Sequence, residues 1–373
     1  MANEQKILIL YASAGHGHEK AAKAVWDAAR AQGFENVSCI DILNRTSFGF
    51  GQRYRKGYLF MIRTVPWLWG FFYYLSDNPF FYTLIRPLRR IVNHLFASAL
   101  ETMVLDERAD VVISTHFMST EATAHLKKKG LTKSRLVTVV TDYLPHTFWL
   151  APEVDLYCVA CEETADELAR RGVPREKIQI TGIPIEAKFS ETQRREMLRR
   201  SMELSMNGFT ALLTSGGVGM GVLEPLMERL SIVEPQLDLL VVCGTNHAMR
   251  ARLESKYGNR SNVRLFGFVN NIQELMAASD VIVGKGGGLT ITESLAMVKP
   301  MVLFGAVPGQ ETRNVDVVLK RHAAKTATSI ADAAECVQRY QREPIFYQAT
   351  VDAIKAMRRP NAASDILKAA LKT

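Results

Sequence analysis

No Asp-x-Asp pair occurs anywhere in the 373 residues, so the paired carboxylates that clamp a metal-diphosphate complex have no counterpart here. No glycine-rich turn is followed by Gly-Lys-Ser/Thr, which excludes a Walker A loop. The five cysteines, Cys39, Cys158, Cys161, Cys243 and Cys336, are odd in number and scattered, which does not suit a disulfide framework. Cys158 and Cys161 form a CxxC with no second pair to complete a zinc site. That stretch reads as the end of an apolar strand. Long hydrophobic runs are also missing. The apolar stretch after Lys6 is too short for a signal segment. Val65 to Ser76, the longest charge-free aromatic stretch, falls short of the roughly 20 residues that span a bilayer. These absences predict a cytoplasmic chain that does not cross the membrane.

What is present divides in two. The length suits two domains. The formal charge of +8 favours an anionic partner. Short β-branched runs (KILILY, VVIST, LVTVVT, LYCVA) alternate with amphipathic stretches such as EKAAKAVWDAARAQG, the pattern of parallel strands with helical crossovers. The alternation breaks at TGIPI and restarts with FTALLTS, LDLLVVCG, VRLFGF, DVIVGKGG and PMVLFG. The predicted fold is α/β, with two Rossmann-like domains facing a cleft: residues 1–185, residues 186–330, and helices over 331–373 that pack back across the cleft.

One region departs from this pattern. Between Phe48 and Tyr82 lie 14 of the chain's 32 aromatics, among them Trp67, Trp69, Phe71 and Phe72. Between Arg45 and Arg90 lie eight basic residues, including Arg86, Arg89 and Arg90, against one acid, Asp77. Interfacial aromatics beside cations predict contact with an anionic membrane surface over about residues 45–90. The stretch is too apolar for a nucleic-acid platform, and no nucleic-acid partner is expected.

Four loops at strand ends carry candidate chemistry. Ala14-Gly15-His16-Gly17-His18-Glu19 lets a substrate approach the backbone and offers an imidazole for proton transfer. It is not a GxGxxG fingerprint. Ser215 to Gly221 holds four glycines, among them Gly216 and Gly217, in a nest suited to a phosphate. Gly284-Lys285-Gly286-Gly287-Gly288-Leu289-Thr290-Ile291-Thr292-Glu293 runs from a strand through glycines into a helix whose positive end favours a diphosphate. Glu293, about one turn in, is apt for ribose hydroxyls. Val307 to Asn314, with Gln310 and Glu311, suits sugar hydroxyls. In the first half, Thr115-His116 and the run Thr141 to Trp149, with Asp142, His146 and Trp149, also follow strands. They are placed with Gly17 on the acceptor side.

Together these stretches resemble the monogalactosyldiacylglycerol synthase and processive diacylglycerol glucosyltransferase family, of GT28 type with the GT-B fold. The likeness runs from about Lys6 to Leu319, through SAGHGHEKAAKAV, VVTDYLPHTFWLAPEVDLYCVA, KIQITGIPI and GKGGGLTITES…PMVLFGAVPGQETRN. Lys285-Gly286-Gly287-Gly288 departs from the family's usual Lys-Pro-Gly-Gly or Lys-Ala-Gly-Pro. The resemblance implies inverting transfer of a hexose from UDP-glucose or UDP-galactose to the hydroxyl of 1,2-diacylglycerol, without metal or cofactor, on the inner face of the cell membrane. It places Phe268 beside uracil, Thr290 and its glycines at the diphosphate, Glu293 at the ribose, and Gln310 with Glu311 at the hexose. His18, Asp142 and His146 remain alternatives for the base. A polyprenyl-diphosphate acceptor or a UDP-sugar epimerase are the alternative activities. The sequence does not specify an oligomeric state.

Overall fold

A computed structural model describes residues 4–13, 15–45, 49–78, 80–82, 84, 100–214 and 223–372. The glycine nest with Gly216 and Gly217, Ala14, Phe48, and Arg86, Arg89 and Arg90 lie outside them. Two compact units emerge. The first comprises residues 1–187, 307–313 and 359–373, and the second residues 188–306 and 314–358. The loop with Gln310 and Glu311 thus falls in the first unit, not in the downstream domain where sequence order put it.

In the first unit six parallel strands lie in the order β2-β1-β3-β4-β5-β6. They are β1 (Ile7–Tyr11), β2 (Val37–Asp41), β3 (Val111–Ser114), β4 (Arg135–Val139), β5 (Leu156–Val159) and β6 (Ile178–Ile180). The central strands are buried along their length, as expected for a parallel sheet covered on both faces. β2 and β6 are short, half-buried edge strands without an apolar run, and the sequence pattern does not single them out. Order reverses between β1 and β3, where β1 pairs with both β2 and β3. Ligands in such sheets bind beyond the carboxyl ends of the strands at this reversal.

Helix α1 (His16–Ala31) covers one face through an alanine-rich stripe, Ala21, Ala22, Ala24, Val25 and Ala29. It ends in a Schellman turn. Gly33 takes φ +83, its N–H bonds Arg30 O, and the Phe34 N–H bonds Ala29 O. The same face is completed by the helix Ala362–Leu371, whose Ile366, Leu367, Ala369 and Ala370 share a core with α1, β1, β3 and β4. Gly182 (φ +89) lets this segment close in, since a Cβ there would stand 2.4 Å from Arg359 Cβ.

The aromatic region forms two helices, α2 (Phe50–Thr64) and α3 (Pro66–Asp77), broken at Val65 and restarted by Pro66 at the first helical position.

The second unit repeats the plan with the order β12-β11-β10-β7-β8-β9. Its strands are β7 (Thr210–Thr214), β8 (Asp238–Val242), β9 (Val263–Phe266), β10 (Val281–Gly284), β11 (Met301–Phe304) and β12 (Lys325–Ala327). The reversal falls between β7 and β10. There Gly284 allows close approach, because a Cβ would meet Thr214 O and Cγ2 at 3.0 Å.

Candidate active site

In the first unit the reversal point gathers residues from four segments. Gly15 is extended and α1 begins at His16. His16, Gly17, His18 and Glu19 are therefore the first turn of a helix and not a loop, which corrects the sequence reading. His18 Nδ1 lies 2.7 Å from Thr115 O and 3.0 Å from Thr141 Oγ1. A carbonyl only accepts, so this contact assigns the proton to Nδ1. Nε2 is then the unprotonated nitrogen, with no hydrogen-bond partner among the described residues. Thr115 Oγ1 donates in turn to His18 O at 3.0 Å, closing a two-way clamp on the first turn. Burial lowers the His18 pKa below the ordinary histidine value, against the opposing field of Asp142 and the Thr115 carbonyl. A neutral imidazole with one nitrogen pinned and the other open has the form of a general base.

His116 stands edge-on to His18, ring centroids 4.6 Å apart. It is buried, and its Nδ1 accepts from the Met118 N–H as the cap of the helix Phe117–Lys128. Asp142, 5% exposed, accepts from Trp149 Nε1 at 3.3 Å through Oδ2 and from Gln310 Nε2 at 2.7 Å through Oδ1. Asp142 thus joins the indole of Trp149 to the side-chain amide of Gln310. His146 is engaged at both ring nitrogens: its Nδ1 accepts from the Phe148 N–H and its Nε2 contacts Tyr73 O at 3.0 Å. Burial pushes its pKa down to about 4. Trp149, placed from sequence on the acceptor side, is 1% exposed and belongs to the core. Its place there is a wall behind Asp142.

Asp77, the lone acid of the aromatic stretch, is the hub of a buried ionic cluster that sequence order hides. It accepts from Arg171 at 2.7 and 2.9 Å and from the Thr147 N–H at 2.7 Å, and it pairs with Arg313 at 2.6 Å. Burial alone would raise its pKa. The Arg171 hydrogen bonds, the field of His146 and the Thr147 hydrogen bonds overcome this and hold it well below the usual carboxylate range.

The aromatic helices expose a broad apolar edge. Trp67 is 69% exposed, Phe71 58% and Phe72 50%, alongside Phe60, Phe80, Phe81 and Leu84. Trp69 turns the other way, half-buried, and packs edge-on to Tyr58. Arg53 and Lys56 of α2 are exposed, whereas Arg55 is committed to Asp41, which in turn holds Ser13 at the end of β1.

In the second unit the reversal point is built from backbone. β10 runs through Lys285 and Gly286 to Gly287, the cap of the helix Gly288–Ala296. The first intrahelical bond is Ile291 N–H to Gly287 O, so the amides of Gly288, Leu289 and Thr290 have no carbonyl of their own helix to meet. This helix end suits an anion. Glu293 is buried on the same helix, and Phe268, just beyond β9, is 59% exposed. Among the described residues no group of His, Cys, Asp and Glu could hold a metal ion, and no helix is long and apolar enough to cross a membrane.

Residues 18–185 match the family model for monogalactosyldiacylglycerol synthase, and residues 219–359 match the C-terminal domain of glycosyltransferase family 28. Among curated proteins, the processive diacylglycerol beta-glucosyltransferase of Bacillus cereus (strain G9842) is 28% identical over 373 residues, all of this chain and 94% of that one. Among solved structures, Acinetobacter baumannii MurG superposes with TM-score 0.58 at 15% identity, over 99% of this chain and 100% of the other. The UDP-GlcNAc 2-epimerase of Neisseria meningitidis bound to UDP-GlcNAc gives TM-score 0.63 at 13% identity, over 99% and 100%. These structural likenesses speak to the fold. With these two models in order and a curated relative along the whole length, the chain carries a monogalactosyldiacylglycerol synthase domain followed by a glycosyltransferase family 28 C-terminal domain, on a GT-B fold.

Proposed function

We propose that the protein transfers a hexose from UDP-glucose or UDP-galactose to the free hydroxyl of 1,2-diacylglycerol with inversion, giving a β-glycosyldiacylglycerol. The observation that carries the reading is the state of His18: neutral, pinned through Nδ1 by the Thr115 carbonyl, and open at Nε2.

The reaction is a single displacement. The acceptor hydroxyl gives its proton to His18 Nε2 as its oxygen attacks C1 of the hexose. The C1–oxygen bond to the β-phosphate breaks on the opposite face, and its electron pair leaves with UDP. The free amides of Gly288, Leu289 and Thr290 take up the charge that builds on the diphosphate, with Lys285 beside them. Glu293 accepts the ribose hydroxyls and Phe268 stacks on uracil. Gln310 and Glu311 face the hexose. The exposed edge of Trp67, Phe71 and Phe72, with the exposed Arg53 and Lys56 of α2, seats the enzyme peripherally on an anionic membrane, where the acceptor resides.

The test is incubation of the purified protein with labelled UDP-glucose or UDP-galactose and vesicles containing diacylglycerol. Label in the lipid phase with a β-linkage by NMR is expected. An α-linkage would refute the single displacement, and an epimerised nucleotide sugar formed without acceptor would refute transfer.

A further inference from the structure

Helix α3 has two working edges. Trp67, Phe71 and Phe72 point outward. Gly70, Tyr73, Tyr74 and Asp77, spaced i, i+3, i+4 and i+7 along one stripe, meet the loop 307–313 residue by residue. A Cβ on Gly70 would stand 2.7 Å from Pro308 Cβ, so helix and loop touch there at backbone distance. Gly309 holds φ +96, and a Cβ on it would lie 2.8 Å from Tyr73 Cγ. Tyr74 Oη lies 3.1 Å from Thr312 Oγ1. The Thr312 hydroxyl donates to Gly309 O at 2.9 Å and accepts from the Gly309 N–H at 3.1 Å. Its single proton being spent, Tyr74 is the donor to it. Asp77 pairs with Arg313 at 2.6 Å, and the Arg313 guanidinium lies 5.2 Å from the centroids of both tyrosine rings. Four successive contacts fix a turn only seven residues long, and that turn carries Gln310 and Glu311.

We propose that Tyr73, Tyr74 and Asp77 are positioning residues for the donor sugar. They set the loop that presents Gln310 and Glu311, so one helix meets lipid with its outer edge and sets donor affinity with its inner edge. This rests on the proposed hexose role of Gln310 and Glu311. Acting through the loop, they are expected to affect the KM for UDP-hexose.

Tyr74→Phe removes one hydroxyl from a half-exposed ring and leaves the fold intact. Thr312→Val removes its partner and the clamp on Gly309, and Thr312→Ser restores the hydroxyl. Steady-state transfer is measured against each substrate separately, with vesicle co-sedimentation as a second readout. Tyr74→Phe should raise the KM for UDP-hexose roughly threefold to tenfold, the equivalent of one hydrogen bond, with kcat, the KM for diacylglycerol and vesicle binding unchanged. Thr312→Val should raise it at least as far. The double variant should match Thr312→Val, and Thr312→Ser should match the parent. An unchanged donor KM in Tyr74→Phe, or donor and acceptor KM rising together, overturns the assignment. Absence of any transfer by the parent in the same assay would instead remove the functional reading beneath it.

Discussion

The Gln310 side-chain amide donates to Asp142 Oδ1 at 2.7 Å, joining a residue expected at the donor sugar to one expected at the acceptor base, 168 positions apart in the chain. Trp149 holds the other carboxylate oxygen. Asp142 thereby fixes the Gln310 amide and sends its field toward His18.

Asp142→Asn should separate orientation from catalysis. The field of Asp142 raises the His18 pKa against the larger lowering by burial, so neutralising it should lower that pKa further. The acid limb of the kcat/KM profile should move to lower pH while activity persists. The KM for UDP-hexose should rise about tenfold, as expected when the hydrogen bond to Gln310 loses its charge assistance. Disappearance of the acid limb together with a collapse of kcat would return the base role to Asp142.

His18→Gln should lower kcat by about 10² to 10⁴, the usual contribution of a general base. UDP affinity measured by calorimetry should stay within a factor of two or so of the parent. In the parent, the acid limb should fall below the ordinary histidine value of 6.5, because burial depresses the pKa. Weakened UDP binding in His18→Gln would mark donor positioning instead of proton transfer.

The fold should lose stability in mildly acidic solution through His146. Its pKa drops from 6.5 to about 4 on folding, so its contribution is whole above pH 6.5 and is lost as pH falls toward 4. Asp77, depressed further, adds its own loss below that window. His146→Asn retains an acceptor for the Phe148 N–H but does not titrate. Its denaturant midpoint should decline less than the parent's between pH 7 and 4.5, and parallel declines would count against His146.

Replacing Trp67, Phe71 and Phe72 together by Ser should abolish co-sedimentation with anionic vesicles, since interfacial aromatics supply most of such binding. UDP affinity in solution should not change. Retained vesicle binding would mean that membrane contact lies elsewhere.

Much of this was legible from residues alone. Two βα series, the strand-to-glycine-to-helix transition at Gly284–Gly288 and the imidazole of His18 follow from local pattern, because buried parallel strands and helix starts leave local signatures. The three-residue strands β6 and β12 leave none, having too few residues to show a period. The clamp on His18 comes from the backbone carbonyl of Thr115, a group every residue carries. The Asp77–Arg313 pair spans 236 positions, a distance no motif encodes. The burial of Trp149 was not legible either, because composition cannot tell an exposed aromatic from one that fills a core. The cap that His146 makes on the Phe148 N–H is equally hidden, because a histidine capping a backbone amide looks, in sequence, like any other.

The helix Ala362–Leu371 fills part of the core beneath β1, β3 and β4. During synthesis the opening sheet therefore leaves the ribosome with one wall missing, and the wall arrives only after the entire intervening module has been made. The upstream module cannot reach its native state ahead of the downstream one, as serial domains ordinarily do. Expressed alone, residues 1–187 would bare the apolar floor that Ile366 and Leu367 cover and would lack the 307–313 loop that meets α3, so a fusion that restores this unit has to splice back both segments.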